Sequence, residues 1–264
     1  MTRIVIDPGH GGNDPGATNG SSREKTFNLS IGLKVRDYLL SNYNVEVIMT
    51  RSTDTTLSLA QRVQIAKSRG ANYFCSIHIN AGGGTGWESF IYNGGVSNFT
   101  IEARNKIHQS VMGVIGSKYG VRDRGKKSAN FYVLRETAMP AVLLENLFID
   151  TTNDLNLLRN STFITDLSHA IGEGIAQAFS LSPKQKALYK VIAGSFQSKE
   201  NAEERKEYLS SKKIDSMIVE TMISGTTYYR VQAGAFSQKK NAEKQLNRLK
   251  QVGITDAFII QEKL

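Results

Sequence analysis

Ile4-Val5-Ile6-Asp7-Pro8-Gly9-His10-Gly11-Gly12, near the start of the chain, is the segment that most clearly indicates its architecture. Three apolar residues form a short buried strand, and a turn rich in glycine follows at once. Beyond it, segments with helical spacing of apolar residues alternate with short apolar runs. Helices are predicted over 24–41, 59–69, 98–117 and 163–179, and strands over 45–49, 73–79, 87–92 and 141–144. This alternation predicts an α/β fold, with a mostly parallel sheet flanked by helices on both faces.

The last third of the chain contains an internal repeat. Residues 189–196 match 229–236, and the match continues through the following residues at a constant offset of 40 positions (231 − 191 = 40). Each copy has the pattern strand, helix, strand, and one βαβ unit cannot bury its own sheet face. The copies are therefore predicted to share one sheet in a small α+β domain of βαββαβ, ferredoxin-like topology. We expect a first domain over 1–180, a linker over 181–188 and this domain over 189–264.

Alternation along the first strand of each copy predicts which side chains face solvent. Val191 and Ala193, with their equivalents in the second copy, are expected to face the helices. The outward positions are then Lys190, Ile192, Arg230 and Gln232.

Charge favours a polyanionic partner. The 264 residues include 33 Lys and Arg against 24 Asp and Glu, a net charge of +9. Residues 181–264 carry 15 basic and 9 acidic residues (15 − 9 = +6), so the excess lies mainly in the smaller domain. Nucleic acid, anionic lipid and the teichoic-acid-bearing wall of Gram-positive bacteria all suit such a charge.

Other bulk features exclude some classes of protein. The single cysteine, Cys75, excludes an intramolecular disulfide, and its apolar neighbours predict a buried position. No run approaches 18 apolar residues, so no membrane span is expected. The N-terminus lacks the pattern of a signal peptide, and we expect a chain made in the cytoplasm that acts outside only after release.

Ionisable residues follow the predicted strands. His10 and His78 each come at the end of a strand, Glu145 ends another, and Glu24 begins the first helix. The carboxyl ends of parallel strands meet at one crevice, so these side chains form a candidate site. Two imidazoles and one carboxylate suit catalytic zinc, and a further carboxylate such as Glu145 could act as general base. Histidines after strands are also common as simple turn residues, and spacing alone leaves both interpretations open.

The same residues resemble the zinc N-acetylmuramoyl-L-alanine amidases, especially those of sporulating bacilli and their phages. The resemblance rests on Ile6–Gly12, Glu24-Lys25, Ser76-Ile77-His78-Ile79-Asn80 and Leu143-Leu144-Glu145 with Phe148, and it covers residues 1–180. It implies hydrolysis of the amide between N-acetylmuramic acid and L-alanine in peptidoglycan, which lyses the cell wall. It also implies that His10, Glu24 and His78 bind one Zn²⁺ and that Glu145 is the catalytic carboxylate.

Two further positions share the family pattern. Arg62 is interpreted as either structural or substrate-orienting, and Asn80 as substrate-binding. Asn146-Leu147 departs from the family, whose members often have a glycine before the phenylalanine. The stretch between His78 and Glu145 is too short for the autoinhibitory helix of some relatives, which predicts activity without an activator protein.

The C-terminal repeat resembles the SPOR domain, a peptidoglycan-binding module. The similarity lies in 229–236 and in Asn241-Ala242. It implies that the outer sheet face binds glycan strands, with contributions from Arg230, Gln232 and Ile192. The sequence does not show whether the protein is a host autolysin that acts in sporulation or a phage endolysin.

Three other functions compete with this interpretation. A nucleic-acid-binding protein would suit the charge, but the outward strand positions carry no aromatic residue for base stacking. A zinc peptidase could use similar ligands, although the chain has no His-Glu-x-x-His helix. A wall-binding protein without activity is disfavoured because all four candidate site residues are present. His108 and His169 lie within predicted helices and are interpreted as structural.

Overall fold

The computed structural model describes residues 1–184 and 187–263, so Gln185, Lys186 and Leu264 lie outside the described part of the chain. The chain divides into two compact units, and the first spans Met1–Lys184. The predicted linker, 181–188, includes Gln185 and Lys186. Its last two positions already belong to the first strand of the second unit, which begins at Ala187.

The first unit alternates strands and helices. Its strands are β1 (Arg3–Pro8), β2 (Thr18–Asn19), β3 (Ser22–Arg23), β4 (Glu46–Met49), β5 (Tyr73–Asn80), β6 (Trp87–Tyr92), β7 (Asp123–Ala129) and β8 (Ala141–Phe148). Its helices are α1 (Glu24–Asn42), α2 (Leu59–Ser68), α3 (Asn98–Tyr119), α4 (Tyr132–Glu136), α5 (Thr152–Leu158) and α6 (Ser161–Ala178).

Six of these strands form one sheet in the order β4-β1-β5-β8-β6-β7. Strands β4, β1, β5 and β8 are parallel, whereas β6 is antiparallel to β8 and parallel to β7. The predicted mostly parallel sheet is confirmed. Strand β7 was not predicted, because Asp-Arg-Gly-Lys-Lys-Ser-Ala has almost no apolar residue and the strand lies at a sheet edge.

Helices cover both faces of this sheet. On one face α1, α3 and α6 pack through residues such as Leu39, Ile107 and Ile171 in the larger core. On the other face α2 and α4 cover a smaller core that includes Val63 and Leu134. Beside this smaller core lies the pocket of the candidate site, which is lined in part by His10 from the loop after β1, His78 from β5, and Arg62 and Val133 from the helices.

The second unit is a single domain with the predicted βαββαβ order. Its elements are β9 (Ala187–Phe196), α7 (Lys199–Ser211), β10 (Met217–Ile223), β11 (Thr226–Phe236), α8 (Lys239–Gln251) and β12 (Phe258–Lys263). Its strands pair only antiparallel, in the order β10-β11-β9-β12, so both copies of the repeat share one sheet.

The faces of this second sheet follow the predicted alternation with one exception. Val191, Ala193 and their equivalents Val231 and Ala233 are buried in the core against α7 and α8. Ile192 was expected to be exposed, but only 2% of it is accessible. It lies on the other face of the sheet, in a cleft lined by the longer side chains of its neighbours, which cover it.

Candidate active site

A row of ionisable side chains crosses the first sheet where its central strands end. His78 in β5 is paired with Glu145 in β8, and Glu145 is paired with Glu88 in β6. Directly paired residues project from the same face of a sheet, so these three side chains are neighbours. Glu88 reaches this edge because β6 is antiparallel to β8, and its first residues therefore lie where the parallel strands end.

Three of the predicted site residues form a compact cluster. His10, Glu24 and His78 each offer one ligand atom, and these atoms lie within 4.8 Å of one another. Glu24 is central: its Oε2 lies 3.3 Å from Nε2 of His10, and its Oε1 lies 3.0 Å from Nδ1 of His78. The imidazole rings meet edge to face with centroids 5.0 Å apart. The fold thus unites residues from the loop after β1, the start of α1 and the end of β5.

The loop after β1 can approach this cluster because it contains glycine. A Cβ at Gly9 would lie 2.3 Å from the ring of His78, and one at Gly16 would lie 2.5 Å from Oε2 of Glu24. Gly16 also has a φ of +64°, and His10 itself has a φ of +60°. His10 is in the left-handed region that side chains rarely adopt, which indicates that its surroundings impose this conformation.

Two buried arginines hold the loop that contains His10 in this backbone conformation. Arg62 donates from Nη1 to the carboxylate of Asp7 and to the carbonyl of Pro8, both at 2.8 Å, and from Nη2 to the carbonyl of His10 at 2.7 Å. Arg51 donates to the carbonyls of Pro8 and Gly9, each at 2.9 Å. Arg62 is only 2% accessible. Of its two predicted roles, the structure favours the structural one, because these donors already bind the loop that carries His10.

Glu24 is held in its ionised form by its neighbours. It is 3% accessible, and backbone N–H groups of Ala17 and Ile79 donate to its two oxygens at 2.9 and 3.0 Å. Burial alone would raise the pKa of Glu24, but hydrogen bonds with His10 and His78 outweigh burial and lower the pKa far below its usual range. The carboxylate is therefore charged at neutral pH, and these hydrogen bonds fix its orientation.

A residue that the sequence analysis missed orients the first histidine. Nδ1 of His10 lies 2.8 Å from Oδ2 of Asp14, which leaves Nε2 directed at Glu24. A carboxylate on the far nitrogen of a metal-binding imidazole is a common arrangement, because it fixes the tautomer. Burial lowers the pKa of His10, but Glu24 and Asp14 together raise it to about 9. The pKa of His78 is also raised, since Glu24 and Glu145 outweigh burial.

Glu145 differs from Glu24 in its environment. Its Oε2 is buried and has no hydrogen-bond partner among the residues that the structure describes. Burial raises the pKa of Glu145 to about 7, against the lowering effect of His78 and with smaller contributions from Glu24 and Glu88. A carboxyl group with this pKa exchanges protons near neutral pH, as a general acid–base group requires.

Beyond Glu145 the row continues into a buried ionic network centred on Glu88. This residue is 2% accessible and accepts from Nδ2 of Asn80 at 2.8 Å, from Nε of Arg124 at 3.0 Å and from Lys127. Arg124 also lies over the ring of Phe148, 4.7 Å from its centroid. Asn80, predicted to bind substrate, thus contacts Glu88 through its amide nitrogen. This network was not predicted, because Arg124 and Lys127 lie on the unpredicted strand β7.

The departure from the family pattern after Glu145 has a structural consequence. Leu147 has a φ of +71°, in the left-handed region that glycine favours, and it is fully buried. That conformation costs a leucine about 1–2 kcal/mol, whereas complete burial of its side chain contributes about 1.5–3 kcal/mol. Burial therefore offsets the strain. Asn146 fills the adjacent space, accepting from Nε1 of Trp87 at 2.8 Å and donating to the carbonyl of His78 at 3.0 Å.

A short connection between β5 and β6, residues 81–86, borders the row. Backbone N–H groups of Gly82 and Gly83 donate to Oδ2 of Asp150 at 2.7 and 2.9 Å. Thr85 and Gly86 donate to Asp154 at 2.7 and 3.0 Å. Two aspartates from the segment after β8 thus fasten this connection beside the site.

The remaining histidine and cysteine candidates lie elsewhere. His108 is buried, with Nδ1 2.8 Å from Oγ of Ser89 and Nε2 3.0 Å from Asp123, and its ring contacts that of Trp87. The ring of His169 packs on that of Tyr38. Cys75 is fully buried in the core, and burial raises the pKa of its thiol well above the usual range.

The cluster at the sheet edge suits a divalent metal ion. Two imidazole nitrogens and one carboxylate oxygen are the ligand set of many catalytic zinc sites, which keep a further position for water or substrate. The charged carboxylate is already bound by two backbone N–H groups, and Asp14 orients one imidazole. Fold and site together define an α/β protein with a His-Glu-His cluster suited to a metal ion, beside a carboxyl group of raised pKa.

Comparison with known proteins identifies the family. Residues 4–177 match the family described as N-acetylmuramoyl-L-alanine amidase, and residues 185–261 match the SPOR domain. The chain therefore belongs to the N-acetylmuramoyl-L-alanine amidase family, and it is an enzyme of that class with an added SPOR domain. This result confirms the resemblance predicted from the sequence.

Individual relatives agree with this assignment. The N-acetylmuramoyl-L-alanine amidase CwlM of Bacillus licheniformis is 46% identical over 220 residues, which cover 83% of this chain and 85% of the relative. The sporulation-specific amidase of Bacillus subtilis is 44% identical over 221 residues, with the same coverage. The catalytic domain of CwlV from Bacillus (Paenibacillus) polymyxa superimposes with a TM-score of 0.64 at 36% identity, covering 69% of this chain and all of that domain.

Proposed function

We propose that this peptidoglycan amidase is zinc-dependent, with His10, Glu24 and His78 as the metal ligands and Glu145 as the proton carrier. The observation that carries the proposal is the convergence of three ligand atoms within 4.8 Å of one another, beside the strand that bears Glu145. The bond cleaved would be the amide between N-acetylmuramic acid and L-alanine, the bond that the family name specifies.

Glu145 and Glu24 would have different roles because they differ in protonation state near neutral pH. A bound zinc ion supplies Lewis-acid activation of water and of the scissile carbonyl. Glu145, with a pKa of about 7, would accept a proton from the attacking water at Oε2 and then deliver it to the leaving amine. Glu24 would remain ionised throughout, because its pKa is far below that of Glu145.

Removal of the metal tests this proposal. We expect chelator-treated protein to lose its ability to clear suspensions of purified walls, and added Zn²⁺ to restore clearing. Mass analysis of the soluble products should find stem peptides that begin with L-alanine. Reducing sugar ends would indicate a glycosidase, and cleavage within the stem peptide would indicate a zinc peptidase. Full activity after complete metal removal would refute zinc dependence.

We further propose that the enzyme needs no activator protein. The described residues between His78 and Glu145 contain two helices, α3 and α4. Helix α3 packs in the core, and α4, the remaining helix, spans five residues. A helix of this length is short for covering a crevice. Wall hydrolysis by the purified chain alone is the expected result, and a strict requirement for an added protein would refute it.

The second unit is proposed to bind glycan strands through the sheet face opposite its helices. Arg230, Gln232 and Ile192 all line the cleft on this face. Nε of Arg230 is buried without a hydrogen-bond partner among the described residues, so this donor is not satisfied by the part of the protein that the structure describes. Ile192, only 2% accessible, would support the cleft from below and would not itself contact a sugar ring. Co-sedimentation with peptide-free glycan tests this, and equal binding by the cleft variant Arg230→Ala would contradict it.

Nucleic acid is a weaker candidate for the partner of this face. The cleft residues Lys190, Ile192, Arg230 and Gln232 include no aromatic ring on which a base could stack.

A membrane-spanning helix is absent from the described part of the chain, since none of its helices has the required length and hydropathy. Action on the wall after release from the cytoplasm stays a prediction, tested by locating the protein in fractionated cells.

A further inference from the structure

The two helices of the C-terminal repeat differ sharply in charge. Helix α7 contains three basic and four acidic residues (3 − 4 = −1), whereas α8 contains five basic and one acidic residue (5 − 1 = +4). Both helices use the same buried positions, with Ala202 and Leu209 in α7 matched by Ala242 and Leu249 in α8. The core of the repeat therefore remains alike, and the difference is confined to the surface.

Three cations of α8 form a line that we call the basic stripe: Lys240, Lys244 and Arg248. They are spaced four residues apart, so they share one face of the helix. All three are exposed and border one groove, together with the amide side chains Asn241, Gln245, Asn247 and Gln251. Phe236 and one acid, Glu243, complete the lining of this groove.

The stripe is not neutralised by nearby acids. Within the described residues, none of its three members has a carboxylate oxygen within 4.0 Å, although Lys239 and Glu243 on the same helix form a pair at 3.5 Å. Arg248 donates from Nη2 to the backbone carbonyl of Lys213, which fixes its position without cancelling its charge.

The matching face of α7 carries the opposite charge. With the offset of 40, Lys240 and Lys244 correspond to Glu200 and Glu204. The repeat thus presents acids in one copy and bases in the other at these two exposed positions, whereas the third member, Arg248, corresponds to Tyr208. Charge needed only for solubility would not require such a line, since mixed charge serves that purpose.

We propose that the basic stripe binds a linear phosphodiester polymer of the cell wall. Ammonium, guanidinium and amide groups along one line match the repeated phosphates of such a chain, and charge-assisted hydrogen bonds to phosphate oxygens are strong. The substrate of this amidase is the wall, so an anionic polymer within the wall is the polyanion that its surface meets.

The stripe and the glycan cleft lie on opposite faces of one domain. Helix α8 packs on the face of the sheet that contains Val231 and Ala233, whereas Arg230 and Gln232 lie on the other face. Both surfaces are therefore free to bind at once. Two weak contacts on one domain would raise the effective concentration of the enzyme at walls that contain both polymers.

The test compares the full chain with two double variants. Lys240→Glu with Lys244→Glu copies the acids of α7 into α8. Lys199→Glu with Lys206→Glu, both exposed on α7, changes the net charge equally and leaves the stripe intact. Binding to purified Bacillus walls is measured by co-sedimentation across a salt series, with walls either intact or stripped of phosphodiester polymers by acid extraction.

We expect the unaltered chain to bind intact walls at least about tenfold more tightly than extracted walls at low salt. The stripe variant should lose this difference, and its salt dependence should fall by about 1.4 logarithmic slope units, or 0.7 for each lost phosphate contact. The α7 variant should bind like the unaltered chain. Soluble extracted polymer should compete with intact walls.

Three results would overturn the proposal: equal binding to both kinds of wall, unchanged binding by the stripe variant, or equal losses in both variants. Competition by duplex DNA but not by the extracted polymer would instead assign the stripe to nucleic acid and would also overturn it. Release of stem peptides, measured in parallel, distinguishes these outcomes from failure of the amidase itself, because the stripe variant retains all four site residues.

Discussion

The two units of this chain carry function in contrasting ways. In the amidase unit the site residues are buried or half-buried. Their neighbours Arg62 and Asp14 form hydrogen bonds with His10, through its carbonyl and its imidazole. In the SPOR unit the candidate binding residues lie on top of a duplicated core whose buried positions are nearly identical. A buried site ties activity to folding, whereas a surface site can change without altering the scaffold. Substitutions should therefore have large, coupled effects in the first unit and small, separable effects in the second.

Glu145→Gln should give the largest effect. It keeps the shape of the side chain but removes proton transfer, which typically contributes 10²- to 10⁴-fold. We expect peptide release to fall by about 10³-fold while metal content is unchanged, measured by product mass analysis and metal emission spectroscopy. A variant that retained a tenth of the activity would remove Glu145 from the mechanism.

Arg62→Met should unfold the amidase unit more easily. It leaves Asp7 buried without its ionic partner, a change that typically costs about 3–5 kcal/mol. Trp87 is the single tryptophan of the chain and is fully buried in this unit, so its fluorescence during urea unfolding reports this unit alone. Arg36→Met, which removes an exposed pair with Asp37, is the control and should cost under about 1 kcal/mol. Equal losses in both variants would contradict the structural role of Arg62.

Activity should depend on pH through Glu145. Because burial raises its pKa to about 7, the base form predominates above pH 7 and is lost as pH falls. We expect kcat/KM to fall about tenfold per pH unit below 7. Metal content must be measured at each pH, because the pKa of His10, about 9 without metal, means that protons compete with the ion. A profile flat down to pH 5 would be inconsistent with this assignment.

Asp14→Asn should weaken metal binding and leave the fold intact. Loss of such a partner of a metal-binding histidine typically costs 10- to 100-fold in affinity or activity. Competition with a chromogenic chelator measures the affinity. Asp37→Asn, an exposed acid on α1, is the matched control and should leave affinity unchanged. Unaltered affinity in Asp14→Asn would show that the hydrogen bond to His10 does not orient the ring.

Arg230→Ala in the SPOR unit should have the smallest effect. One hydrogen bond to glycan contributes about 0.5–1.5 kcal/mol, so binding to peptide-free glycan should fall about 2- to 10-fold. Hydrolysis of a short soluble muramoyl peptide should not change. Lys212→Ala, on the helix side, is the control. A loss of catalysis on the soluble substrate would mean that the two units are not functionally separable.

Much of the fold could be predicted because burial is periodic in the sequence. The strand at 73–80 and the helix at 24–42 were found within one residue at each end, since their apolar spacing is regular. Strand β7 was missed because an edge strand with Arg124 and Lys127 has no apolar face. The reversed direction of β6 is likewise set by partners distant in sequence, which no local pattern encodes.

The residues of the candidate site likewise fall into two groups: those that a local sequence pattern reveals and those that depend on contacts distant in sequence. His10, His78 and Glu145 could be found because each lies near the carboxyl end of a strand of a parallel sheet, and Glu24 because it begins the first helix. Arg51 and Glu88 act mainly through contacts with residues distant in sequence, which no local pattern reveals. Asp14 had one usable signal, its position four residues after His10 in the same glycine-rich loop. Ile192 was wrongly predicted to be exposed. Alternation shows which face of a strand a side chain lies on, but it does not show whether neighbouring side chains cover it.

The connection at residues 81–86 also sets how the enzyme can diverge. It joins the strand of His78 to the strand of Glu88, and Asp150 and Asp154 bind it from outside the sheet. Because β8 lies between β5 and β6 in the sheet, this connection crosses the end of the strand that carries Glu145. A longer connection would extend the border of the crevice, while its two independently anchored ends would keep both flanking strands in place.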